Sequence, residues 1–181
     1  RANTRSWPVM VDSATDPAVL LLKAAEEGRT DDVRLLLDSG TPVDCVEEED
    51  PDCTAIWYAC YEGHVETAQL LLARGASILP RRGDDGSLMD ADAAPRIEDA
   101  DESDEDNNDY FSSPLHAVCL GCDSGGSGDS PEESYLCLAR LLIAHGADPN
   151  CRSLPLSEAC QNNCLAMVKL LVDAGANING N

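Results

Sequence analysis

Two stretches of this chain have the residue types and spacing of a metal site. His116, Cys119 and Cys122 form a His-x2-Cys-x2-Cys run, and Cys160-x3-Cys164 adds a second thiol pair. Imidazole and thiolate at such intervals suit zinc, because neighbouring turns of chain bring them onto one ion. Nucleophilic catalysis would instead need a Ser or Cys beside a general base. His64, His116 and His145 are the available imidazoles, and none stands in a recognisable nucleophile motif. The Gly-rich run 123–129 lacks the Lys of a phosphate-cradling loop and has the composition of a flexible linker. Carboxylates are plentiful enough for acid–base work, but they lie in long runs, as solvated stretches do. Which of these readings survives depends on the elements that carry the residues.

Composition narrows the classes. The 181 residues carry 34 acidic against 12 basic side chains, a formal charge of −22. Such a balance disfavours nucleic acid and anionic membrane surfaces, which attract Lys and Arg, and steers basic protein surfaces toward the chain. Hydrophobic residues make up 43% but aromatics only 4%, so a core of Leu and Ala in short, closely packed helices is expected. No apolar run approaches the ~20 residues of a membrane-spanning helix. The opening residues Arg1 to Trp7 include no start Met and no signal-peptide core, and read as the cut edge of a longer protein. Nine cysteines without a secretory signal imply reduced thiols in the cytoplasm or nucleus.

The carrying elements repeat. Lys23-Ala24-Ala25-Glu26-Glu27-Gly28 returns as Tyr58-Ala59-Cys60-Tyr61-Glu62-Gly63, and Leu35-Leu36-Leu37-Asp38-Ser39-Gly40 as Leu70-Leu71-Leu72-Ala73-Arg74-Gly75. Both offsets are 35 residues, from 63 − 28 and 75 − 40. Leu141 to Asp148 returns as Leu170 to Asn177, at an offset of 29, from 175 − 146. Each unit reads as an Ala-rich helix, a turn, and a second helix with a Leu stripe. Gly40, Gly75, Gly146 and Gly175 follow the stripe, where a left-handed cap suits a residue without a Cβ. Asp16-Pro17 marks a helix start, and Ser130-Pro131-Glu132-Glu133 has the form of a capping box. One such pair cannot bury its stripe alone, so neighbours must stack.

Ser113-Pro114-Leu115-His116-Ala117-Val118-Cys119 resembles the Thr-Pro-Leu-His-x-Ala signature of the ankyrin-repeat family. Thr54-Ala55-Ile56-Trp57-Tyr58-Ala59-Cys60 and Leu154-Pro155-Leu156-Ser157-Glu158-Ala159-Cys160 are weaker copies, and Gly146-Ala147-Asp148-Pro149-Asn150 is a family-like repeat end. The resemblance implies an all-α solenoid of about four helix-turn-helix units. A leading segment spans 1–16, the first two units 17–79, an acidic insertion 80–112, and the last two units 113–181, with a short insertion at 123–133. The fourth finger loop is short, and further units are expected beyond Asn181. In this register Cys60, Cys119 and Cys160 share one position, a small residue buried against the next helix. Structural thiols are therefore expected rather than a metal site, with no cofactor and no catalytic residue.

The resemblance also implies a protein-binding surface on the finger loops and the exposed, concave side of the first helices. Carried onto this chain, it points to Glu26 and Glu27, Tyr61 and Glu62, Leu120 and Gly121, and Gln161 and Asn162. Trp57 and Tyr58 stand beside them, and Trp57 and Tyr61 share a helix face. Two readings of Trp57 stand: an anchor for a partner, or a filler against the insertion or the third unit. Asp50 and Asp52 add charge to the first finger. Residues 81–111 hold twelve acidic side chains against three Arg, a net of −9, and too few apolar ones to fold alone. Within them Ser103 resembles an acid-directed kinase site, and Tyr110-Phe111 is placed to pin the loop's end. The expected function is a non-enzymatic scaffold or adaptor binding a protein or peptide with basic contacts. The rivals are a targeting segment of a larger enzyme, such as a ubiquitin ligase or kinase, and an acidic chaperone for basic proteins such as histones.

Overall fold

Helices of seven to fourteen residues are marginal in water alone, so the fold rests on how they stack. A computed structural model describes residues 16–46, 53–79, 81–82, 111–122, 131–151 and 154–178. The helices are α1 (Pro17–Glu26), α2 (Thr30–Asp38), α3 (Ala55–Tyr61), α4 (Val65–Ala73), α5 (Pro114–Gly121), α6 (Pro131–Ala144), α7 (Pro155–Gln161) and α8 (Leu165–Asp173). They form helical hairpins. The first helices stack in the order α1, α3, α5, α7, and the second helices in the order α2, α4, α6, α8. This is the all-α repeat stack expected from the sequence.

The core runs the length of the stack as a ladder of equivalent positions. Leu21, Ile56 and Leu115 are fully or almost fully buried on successive first helices, and Leu71, Leu142 and Leu171 on successive second helices. Small residues let the layers approach: Ala24, Ala25, Ala59, Ala68, Ala117 and Ala139 are all fully buried. Caps follow the sequence signals. Ala18 donates its N–H to Asp16 Oδ1 at 2.9 Å, Trp57 to Thr54 Oγ1 at 3.4 Å, and His116 to Ser113 Oγ at 3.1 Å. Each satisfies an N–H that the first helical turn leaves open. Past each Leu stripe the closing Gly lies at a φ between 87° and 98°, which L side chains rarely adopt.

The structure adds to the reading in three places. The ends of the acidic insertion are joined as two-residue strands, β1 (Arg81–Arg82) and β2 (Phe111–Ser112), antiparallel with Arg81 opposite Ser112. Helix α6 opens at Pro131, so residues 131–133, expected in the short insertion, form its first turn. Leu154 occupies the N-cap of α7 at φ 50°, ψ 55°, without a side-chain cap, where Thr54 and Ser113 cap the equivalent helices.

Candidate functional site

The fingers and the first-helix ends are tied across units by side chains donating to, or accepting from, the neighbouring backbone. His64 Nε2 donates to the Glu26 carbonyl at 2.9 Å, Tyr135 Oη to the Tyr61 carbonyl at 3.0 Å, and Asn162 Nδ2 to the Cys119 carbonyl at 2.9 Å. In each case a later unit satisfies a carbonyl near the end of the preceding first helix, one of those the helix leaves free. The fingers are tied similarly. Ser77 N–H donates to Asp44 Oδ1 at 2.9 Å, and Asn177 N–H to Asn150 Oδ1 at 2.7 Å. The equivalent acceptor position in the second finger is Leu79, which has no side-chain oxygen. The finger ladder thus lacks this bond where the acidic insertion begins, and the Tyr135 bond ties the second and third units at their other edge.

Those ties position the surface at the ends of α1 and α3. Trp57 and Tyr61 stack with ring centroids 5.2 Å apart and planes 9° from parallel. Tyr58 and Trp57 meet edge to face, at 5.4 Å and 87°. All three are half-buried and packed on the core. The indole N–H of Trp57 is buried and meets no acceptor among the described residues. Glu26, Glu27 and Glu62 are exposed. Glu27 pairs with Arg29 at 2.7 Å, whereas Glu26 and Glu62 make no ion pair among the described residues. Arg29 is held more firmly protonated by its hydrogen bond to Asp32 and by Glu27.

Other expected positions fall differently. Gln161 is exposed, but Asn162 is half-buried and spends its amide on the Cys119 carbonyl. Gly121, expected on the variable surface, is buried: a Cβ there would stand 2.1 Å from the Tyr61 carbonyl oxygen. Asp50, Asp52, Ser103 and Tyr110 lie outside the described residues, as do Trp7 and most of the acidic insertion. Sequence reasoning missed Tyr135. Its signal was an aromatic near the start of α6, where the second unit has His64 at the start of α4.

The cysteine run resolves into packing. Cys60 and Cys119 are fully buried, and burial pushes both thiols well above the usual range. Cys160, expected to be buried like them, is exposed, because no described helix covers α7 on the side away from α5. Cys137, like Cys160, is an exposed free thiol, and Cys164 a buried one. His116 is 5% exposed, with Nε2 3.8 Å from Glu158 Oε2, too far for a hydrogen bond but close enough for charge to be felt. Burial lowers the His116 pKa, and the Glu158 carboxylate opposes that only in part. Among the described residues no three His, Cys, Asp or Glu side chains gather as ligands for one metal ion, and no helix is long and apolar enough to cross a membrane.

Comparison with known proteins gives the same architecture. Residues 11–82 match the description "Ankyrin repeats (3 copies)", and residues 154–180 match "Ankyrin repeat". The chain is 26% identical over 158 residues to "Ankyrin repeat and KH domain-containing protein mask-1" of Caenorhabditis elegans, covering 87% of this chain and 5% of that protein. It is 39% identical over 66 residues to "Ankyrin repeat and KH domain-containing protein CBG24701" of Caenorhabditis briggsae, covering 36% of this chain and 2% of that protein. The chain thus spans only a small fraction of either relative's length.

Proposed function

The chain belongs to the ankyrin-repeat family, and from that premise we propose that it is a non-catalytic docking module for a protein or peptide with a basic contact surface. Proteins of this family generally mediate protein–protein interaction. The observation that carries the finer reading is the half-exposed Trp57, Tyr58 and Tyr61 group beside the exposed carboxylates of Glu26, Glu27 and Glu62. Aromatic side chains supply contact area at low entropic cost and dominate binding energy where they are well packed. The inter-unit bonds hold the surface in one shape before a partner arrives, which lowers the ordering cost of association. Asp50, Asp52 and the run 81–111 extend the same sign of charge and would raise the encounter rate.

The test uses the exposed carboxylates, because shortening Trp57 and Tyr61 would also remove core packing. Immobilised chain is used to capture proteins from cell extract, identified by mass spectrometry, and compared with a Glu26→Lys, Glu62→Lys chain. The double variant should melt within a few degrees of the parent and lose the captured protein. Unchanged capture contradicts the reading.

A second reading rests on the small share of each relative that the chain covers. The module would then recruit substrates or positions for a larger polypeptide, in the cytoplasm or nucleus. Joining the captured partner to the other domains of the parent protein in one complex would support it, and independent binding by the rest of the protein would count against it.

A further inference from the structure

The Trp57–Tyr61 stack has a geometry that discriminates among cations. Trp57 and Tyr61 lie near-parallel and half-buried, a flat stacked pair of rings on one helix. Tyr58 meets Trp57 in a T-shaped contact, and Tyr61 is the last residue of α3. Glu26 ends α1 as Tyr61 ends α3, at equivalent positions on two adjacent helices. Glu62 follows directly. The ends of both helices carry partial negative charge, which favours a cation near them. Arg29, just past the end of α1, is already engaged by Glu27 and Asp32, and Lys23 stands one turn back on α1.

We propose that this platform, with Glu26 and Glu62, reads an arginine side chain of an extended basic peptide, in preference to lysine. The proposal rests on the docking reading above and names what that surface selects. A guanidinium is flat and weakly hydrated, so it lies parallel on a ring and still directs its N–H groups at two carboxylates. An ammonium is compact and strongly hydrated, and gains less from the ring. Bulk negative charge, by contrast, attracts both cations alike.

The experiment titrates the full chain with a peptide of alternating Arg and Gly, and with its Lys-for-Arg twin of equal charge, at moderate salt by calorimetry. The Arg peptide should bind about fivefold tighter than the Lys twin. Tyr61→Leu should erase that preference while leaving residual binding of both. Glu26→Gln with Glu62→Gln, at exposed positions that the fold does not use, should weaken the Arg peptide more than the Lys twin. Equal affinity for the twins overturns arginine selection and leaves the docking reading intact. Preference surviving in Tyr61→Leu, still folded at the titration temperature, overturns the assignment to this platform. Binding of neither peptide overturns the basic-partner reading as well.

Discussion

At the scale of single residues, the same side-chain types do different work according to burial. Cys60 and Cys119 are sealed in the stack, while Cys137 and Cys160 are exposed. In the native chain a thiol reagent should modify Cys137 and Cys160 quickly and leave Cys60 and Cys119 untouched until denaturant is added. Peptide mapping after timed labelling checks this. His116 gives a pH signature. Its pKa lies below the ordinary value because burial disfavours the charged ring. Between that lowered value and about 6.5, the unfolded chain therefore binds more protons than the folded one. Stability contributed by neutral His116 is complete above about pH 6.5 and is lost as pH falls through that window. Urea unfolding across pH should show this slope, and His116→Asn should flatten it. Gly121→Ala drives a Cβ against the Tyr61 carbonyl, which is backbone and cannot step aside. It should cost about 3 kcal/mol, read as a lowered urea midpoint. None of that was legible at Gly121 from sequence. Its place in the repeat suggested a variable surface, and only the tertiary approach of Tyr61 and Tyr135 shows why a side chain is excluded.

At the scale of elements, the helices were legible because their signals are local. Asp16, Thr54 and Ser113 cap, Gly40, Gly75, Gly146 and Gly175 close, and the Leu stripe supplies the period. The β1–β2 pair was not, since a two-residue strand has no alternation to read and its register is set by the joining of distant chain. Tyr135 was not either, because its partner is a carbonyl 74 residues away. Tyr135→Phe keeps the ring but leaves the Tyr61 carbonyl without this donor, and should cost about 1 kcal/mol. The cost should appear in the same urea transition. Leu154 shows the opposite case. A branched side chain in the left-handed region, 56% exposed and without a cap, is locally unfavourable. Leu154→Asn suits the backbone and supplies a capping oxygen, so it should raise stability by about 1 kcal/mol. A lowered melting temperature in that variant would contradict the assigned conformation.

At the scale of the whole molecule, stability passes from neighbour to neighbour through a core that runs along the stack. The repeat offsets made this legible in outline. The exposure of Cys160 was missed because a repeat position predicts burial only where a following unit covers it. Leu165, Val172 and Ile178 are exposed on the same last unit. The positions of the proposed docking surface were read from the repeat register, but the parallel stacking of Trp57 on Tyr61 does not follow from their spacing. The central claim is that a basic partner settles on the ends of α1 and α3, drawn there by charge and held there by the aromatic group. An amide- and indole-resonance map of the chain with its captured partner tests this most directly. The account predicts shifts at Glu26, Glu27, Trp57, Tyr61 and Glu62, with α8 unmoved. Shifts confined to residues 83–110, with the Trp57 indole unchanged, would contradict it.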